Sequence, residues 1–336
     1  MYNFVSKRPD EDTLKLIVRT GNSDQAIAYR AQKEFASAVQ TPLREAILSG
    51  DIIDGVFTPI PLTAGGSIEY PLDVIAPGEE DEFVAYTSPG NGRIAERQVE
   101  GDRVFIPTFM VENAIDWLLK YAREANWDIV QRCLQILNFG FMKKMNDDGW
   151  HTVLSAAADR NILVFDADAS PGQFTKRLVS LAKVNMRRNG GGNSSSINRR
   201  RLTHIAMSPE GLEDIRNWGL DQVDEMTRRE IYLADDSSDK VTKVFGAILV
   251  DLDELGVGQQ YTNFWTGDLA ASVQASDTEL AIGLDLTRGN FIMPIRQEVE
   301  IHADPWLHRS HKEGYYGMGD NGYAVLDGRD VLALSF

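Results

Sequence analysis

The chain has 336 residues, 43% of them hydrophobic and 25% charged, the balance of a folded protein long enough for two or three compact units. Its 34 Lys and Arg stand against 50 Asp and Glu, a net charge of −16, which argues against a phosphate-tracking nucleic-acid binder. The single cysteine, Cys133, excludes an intrachain disulfide and a CxxC-type zinc site, and no apolar run approaches the ~20 residues of a membrane span.

The opening residues Met1–Arg8 lack the apolar stretch of a signal peptide, so the chain reads as a soluble protein made in the cytosol. Leu14-Lys15-Leu16-Ile17-Val18 predicts a strand. Ser23 then caps a helix through Ala26, Ile27, Phe35 and Val39, and Thr41-Pro42 starts a second helix that Gly50 stops. Over residues 56–107 the composition turns to Gly, Pro and β-formers. Ile68, Tyr70, Leu72 and Val74 alternate with polar neighbours, which predicts a strand, and Pro71 puts it at an edge. Val99 to Ile106 reads as the returning strand, with turns at 77–82 and 88–92. A lone two-stranded hairpin is marginal in water, so this one needs a surface to lie on.

From Phe109 to about Met145 the apolar period becomes 3.6: Val111, Ile115, Leu118 and Ala122, then Val130, Leu134, Leu137, Phe141 and Met145. About 37 helical residues ending near Gly149 would span on the order of 55 Å. Ser170-Pro171 opens a further helix closed by Arg187 and Arg188, whose charges suit a helix C-terminus. A Gly/Ser tract follows at 190–196. Leu202 to Met207 reads as a buried strand, Ser208-Pro209 as a helix cap, Val244 to Val250 as a strand, and residues 279–301 as two more. Asp327-Gly328 predicts a closing hairpin.

None of this assembles a catalytic constellation. Asp251, Asp253 and Glu254 follow an apolar strand, where metal carboxylates often sit, yet they read better as the polar end of that strand. His302, His308 and His311 cluster with Asp304 at a spacing that fits no metal-ligand template. No nucleophile elbow, phosphate loop or dinucleotide fingerprint occurs. No catalytic residue, cofactor or metal ligand is therefore assigned. The sharpest charge feature is Arg187-Arg188 followed by Arg199-Arg200-Arg201 around the Gly/Ser tract. The net charge favours a loop or neighbour contact there over nucleic acid.

A protruding hairpin, a very long helix, a mixed α/β unit and a terminal strand return, in that order, resemble the Hong Kong 97 fold of tailed-phage major capsid proteins. The likeness rests on Arg201 to Leu212 (strand into a Pro-started helix), Phe245 to Val250, Phe291 to Val299, and the closing Gly322 to Asp327. It implies an α+β fold: an N-terminal arm with helices at 1–57 and an extended E-loop hairpin at 58–107. A peripheral (P) domain with a spine helix would follow at 108–158 and 290–336, and an axial (A) domain at 159–289. It further implies a non-enzymatic subunit that assembles through pentamers and hexamers into an icosahedral phage head enclosing double-stranded DNA, held by weak or non-specific contact. Portal and decoration proteins are implied partners; a membrane is not.

Two departures inform. Only 108 residues precede the expected spine helix, and arm and hairpin use them, so a separate scaffolding protein is implied. No lysine lies between Lys33 and Lys120, so the hairpin cannot supply the nucleophile of the isopeptide bond some members form, and a non-covalent shell is expected. The span 58–107 holds nine acidic and three basic residues, a net of −6. It is expected to lie on a basic strip of the adjacent subunit. Candidate inter-subunit contacts are Glu79, Glu80, Asp81, Glu82, Arg93 and Arg97 in the hairpin, and Arg187, Arg188, Arg199, Arg200 and Arg201 in the A domain. The subunit would reside in the virion and assemble in the host bacterial cytoplasm. An encapsulin-like nanocompartment shares this order of elements; a metal-dependent enzyme or a tail or neck component are the remaining readings.

Overall fold

The computed structural model describes residues 11–48, 55–62, 69–71, 103–189, 199–219, 243–275 and 278–336. The chain forms two compact units. The first takes Met1–Ile68, Phe105–Gly149 and Ile292–Tyr323; the second takes Glu69–Val104, Trp150–Phe291 and Ala324–Phe336.

The first unit opens with helix α1, Glu11–Thr20, where the sequence reading places a strand. Acidic Glu11 and Asp12 suit the positive end of a helix, and Lys15 reaches back to Glu11 at 2.8 Å. A short apolar run does not by itself distinguish strand from buried helix, and here the ends decide. Helix α2, Gln25–Leu48, follows after an Asn22–Asp24 turn. Asp24 rather than Ser23 caps it, its Oδ1 accepting from the Ala26 N–H at 2.9 Å. Its backbone runs unbroken past Thr41-Pro42, so the expected second helix is a continuation of the first. Ala28, Ala31, Phe35 and Val39 bury one stripe.

The sheet of this unit orders its strands β1 (Thr58–Pro61), β10 (Phe291–Ala303), β11 (Lys312–Asn321) and β4 (Phe109–Leu118). β1 pairs in parallel with β10; the other pairs are antiparallel, and β4 lies opposite β11 from Lys312↔Leu118 to Asn321↔Phe109. The first third of the expected long helix is therefore strand. Val111 and Ile115 are four apart, a spacing that satisfies period 2 and period 3.6 alike. Trp117 and Leu118 decide between them, since Trp117 is buried and Leu118 exposed. A short helix α3, Leu119–Arg123, follows β4. Ala125 in the left-handed region (φ 51°) separates it from the long helix α4, Trp127–Asp159.

At 33 residues, α4 is about 50 Å long. It passes the expected stop at Gly149, where the boundary between the two units falls. Within the first unit its buried stripe is Val130, Leu134, Leu137, Phe141 and Met145, as the sequence pattern predicts. Full burial of side chains of this size stabilises by about 1.5–3 kcal/mol each. Gly140 sits where β4 crosses: a Cβ there would lie 2.3 Å from Asn113 Nδ2, which donates instead to the Leu137 carbonyl at 3.1 Å.

The second unit is built on a six-stranded mixed sheet: β5 (Leu163–Phe165), β13 (Val331–Ser335), β9 (Leu280–Leu284), β6 (His204–Met207), β8 (Ala247–Asp251) and β7 (Lys243–Val244). β9 and β13 are buried at every position, as central strands covered on both faces must be. The closing strand thus belongs to this unit, whereas the sequence reading returns residues 324–336 to the first. Asp327-Gly328 forms a 3₁₀ turn, Gly328–Asp330, rather than a hairpin, with Asp327 accepting from the Arg329 N–H. The predicted strand at 244–250 is two strands joined at Phe245-Gly246, whose positive φ values of 48° and 80° fit a type I′ turn.

Helix α5, Lys176–Asn189, starts later than Ser170-Pro171 suggests, because Thr175 Oγ1 accepts the Leu178 N–H at 3.1 Å and sets the first turn. Helix α6, Pro209–Arg216, has the predicted start: Ser208 accepts from Gly211 N at 3.2 Å and proline takes the first turn. The helices cover a core of Phe174, Leu178, Met186, Ile205, Trp218 and Phe336. Phe174 packs edge-on against Phe336 at 5.0 Å, and the Trp218 indole donates to the Phe174 carbonyl at 3.0 Å. No described helix is long and apolar enough to cross a membrane.

Candidate inter-subunit surfaces

The first unit carries an apolar stripe that its own core does not use. On α4, Arg132, Ile136, Phe139 and Lys143 are exposed at spacings of four, three and four, a single ridge beside the buried one. Ile136 is 50% and Phe139 67% exposed. Two large apolar side chains are thus exposed side by side on one helix, with a cation at each end. Lys144 next to it is paired with Asp148 at 2.6 Å; no carboxylate partner of Arg132 or Lys143 occurs among the described residues.

A second exposed surface lies on β4, the edge of its sheet among the described strands. Phe109 and Met110 are 66% and 60% exposed, and ten residues of edge backbone invite another strand. Of the hairpin, the base is seen. β2 (Glu69–Pro71) and β3 (Arg103–Phe105) pair as a two-stranded sheet, and Arg103 Nη1 meets Glu69 Oε2 at 3.1 Å. Glu79, Glu80, Asp81, Glu82, Arg93 and Arg97 lie outside the described residues.

In the second unit the arginines divide. Arg187 and Arg188, in the last turn of α5, are exposed, as are Arg199 and Arg201. Arg200 is corrected: it is 2% exposed and turned inward, paired with Asp327 and, through Nε, with Asp330 at 2.7 Å. An extended chain points successive side chains to opposite sides, so the middle residue of the triplet enters the core. There Asp327 pairs with both Arg200 and Arg329, Asp330 pairs with Arg200, and Asp285 adds a further negative charge nearby. Burial pushes Asp330 up to about 6, further raised by Asp327 and Asp285, although Asn290 and Arg200 oppose it. Burial also pushes Asp327 up, but the hydrogen bonds and charge of Arg329, with the charge of Arg200, outweigh that and hold it below its ordinary value.

The remaining polar clusters are structural. His302 meets Glu300 at 3.4 Å, His308 Nε2 lies 3.1 Å from the Asn22 carbonyl, and His311 ends a 3₁₀ turn in the left-handed region. Asp166 accepts from Thr175 Oγ1 and the Asp168 N–H ahead of α5. Among the described residues no three His, Cys, Asp or Glu side chains converge on a metal-sized site. Cys133 is half-buried, and burial, with the charge of Asp116, raises its thiol pKa, so it is not an activated nucleophile.

The two units, one with a long strand-backed helix and one with a mixed central sheet, define a Hong Kong 97-like α+β fold. The chain is similar over most of its length to three solved phage structures. Microbacterium phage Oxtober96 matches at 13% identity, 86% of this chain, 91% of that chain and a TM-score of 0.53. The acidic stable capsid of Helicobacter pylori bacteriophage KHP30 matches at 10% identity, 82% and 87% coverage and 0.54. The capsid of Myoviridae phage XM1 matches at 12% identity, 85% and 92% coverage and 0.51. No family model and no curated protein matches the sequence.

Proposed function

We propose that this chain is the major capsid protein of a tailed phage, a shell-building subunit and not an enzyme. The fold supports this reading, and the exposed ridge Arg132-Ile136-Phe139-Lys143 carries it. A monomeric protein gains nothing from holding Ile136 and Phe139 in water along a rigid helix; a repeating subunit does. The occupant is the acidic hairpin of a second copy. Its net charge of −6 over 58–107 complements Arg132 and Lys143, and its alternating apolar positions match Ile136 and Phe139.

Such a contact is heterologous, one surface meeting a different one on the next copy, and it closes into rings when the rotation allows. Pentamers and hexamers of this kind would build the icosahedral head around double-stranded DNA. The acidic surface keeps DNA contacts weak, which suits a container that must fill and empty. A separate scaffolding protein, a portal and decoration proteins belong to the same reading, as do a place in the virion and assembly in the host cytoplasm. The test is assembly of Phe139→Asp: rings and shells are lost while the subunit stays folded. Wild-type assembly in that variant would remove the ridge from the account.

A further inference from the structure

We propose that the second unit carries a binding site for small polyphosphates, in a cavity whose cationic wall is Lys183, Arg187, Arg199 and Arg201. The cavity encloses about 420 Å³ and is bounded by those side chains, by Arg200, and by an apolar floor of Leu202, Phe245 and Gly246. All of these residues belong to the second unit. No carboxylate is among the described residues that bound it.

The charge pattern is what distinguishes this place. Elsewhere a number of the described cations sit beside a carboxylate, as Lys15, Arg103, Lys144, Arg177, Arg216 and Lys312 do. Among the described residues no ion pair reaches Lys183, Arg187, Arg199 or Arg201. In a chain with 50 acidic residues, four such cations around one concavity repel one another, and no carboxylate among the described residues is paired with them. Arg200 behind them is consumed by Asp327 and Asp330, though its Nη1 has no hydrogen-bond partner among the described residues.

The wall is also held in place. The Lys183 ammonium donates to the Phe245 carbonyl and lies 5.8 Å from that ring. Arg288 donates to the Arg199 carbonyl at 3.3 Å, and the Arg201 N–H donates to Asp285 at 2.7 Å. Burial lowers the Lys183 pKa, a cost that a bound anion would remove. Guanidinium forks are suited to phosphoryl oxygens, and four cations match the charge of a di- or triphosphate. A cavity of this volume takes a small ligand whole but not a duplex. The shared chemistry is the phosphoryl group, whether free or on a nucleic acid, and the size favours the free form.

The full-length chain is titrated with tripolyphosphate by calorimetry at low salt, and separately with a short DNA duplex. The expected result is saturable tripolyphosphate binding that Arg187→Ala or Arg201→Ala weakens about tenfold, while Arg188→Ala, outside the cavity, leaves it unchanged. Arg187 and Arg201 are exposed, so these variants keep the fold, and circular dichroism checks it; Arg199→Ala is an independent second probe. Binding equal in all variants, or duplex binding through the same arginines without tripolyphosphate binding, overturns the proposal. The readout is ligand binding by the subunit, so it fails or succeeds independently of shell assembly.

Discussion

Thr20 Oγ1 lies 2.7 Å from the Ile17 carbonyl and 2.9 Å from Glu313 Oε2. A hydroxyl has one proton to donate, and the Ile17 carbonyl can only accept it. Thr20 therefore serves one acceptor at a time, and at Glu313 it joins the Tyr315 hydroxyl, which donates to Oε1 at 2.6 Å. Burial raises the Glu313 pKa, opposed by the Tyr315 and Thr20 hydrogen bonds and the charge of His308.

Glu313→Gln tests this. A carboxyl whose pKa is raised in the fold adds stability at pH below its unfolded value and loses it as pH rises through the folded one. The wild type is therefore expected to lose stability relative to Glu313→Gln as pH rises from about 4.5. Urea melts of both proteins across pH 4–8 check it. Parallel curves would mean that folding leaves the Glu313 pKa unshifted.

Gly317 on β11 faces the buried ring of Phe141, and a methyl at 317 would lie 2.7 Å from Cε2 and 2.8 Å from Cζ. Phe141 is 0% exposed and has nowhere to go. Gly317→Ala is expected to destabilise by about 1–3 kcal/mol despite the better strand propensity of alanine. Gly267→Ala, with nothing within 4 Å, is the control and should change little. Thermal or denaturant unfolding reads both.

The two faces of α4 separate folding from assembly. Phe139→Asp on the exposed ridge should leave unfolding within about 0.5 kcal/mol of wild type and abolish assembled species in sedimentation velocity. Leu137→Asp, two residues away and 0% exposed, should prevent folding. If Phe139→Asp unfolds the subunit, the ridge is core and not interface.

The hairpin span has no lysine, so no isopeptide weld can start from it. Boiled particles on a denaturing gel are expected to run as a single band at 37.5 kDa. A ladder of covalent multimers would show another cross-link.

The reach of the sequence follows from which signals are local. The stripe Val130 to Met145, the Ser208-Pro209 cap and the paired bases of the hairpin were legible, because period, cap and turn chemistry act over a few residues. The switch from β4 to α4 was not. Val111 and Ile115 fit both periods, and the left-handed residue that breaks the helix is Ala125, not a glycine that would have signalled it. The run Leu14–Val18 was equally ambiguous. The closing strand finds its partners, β5 and β9, far away in sequence, and no local pattern names them. At the candidate surfaces, Arg199, Arg200 and Arg201 are alike in sequence, and only the fold turns the middle one inward. The ridge at Ile136 and Phe139 had one sequence signal, apolar residues falling off the buried stripe of the same helix.

Negative-stain microscopy of the purified chain, expressed alone and with a candidate scaffolding protein, tests the central claim most directly. The account predicts five- and six-fold rings or closed shells. Monodisperse monomers under both conditions and across salt would contradict it.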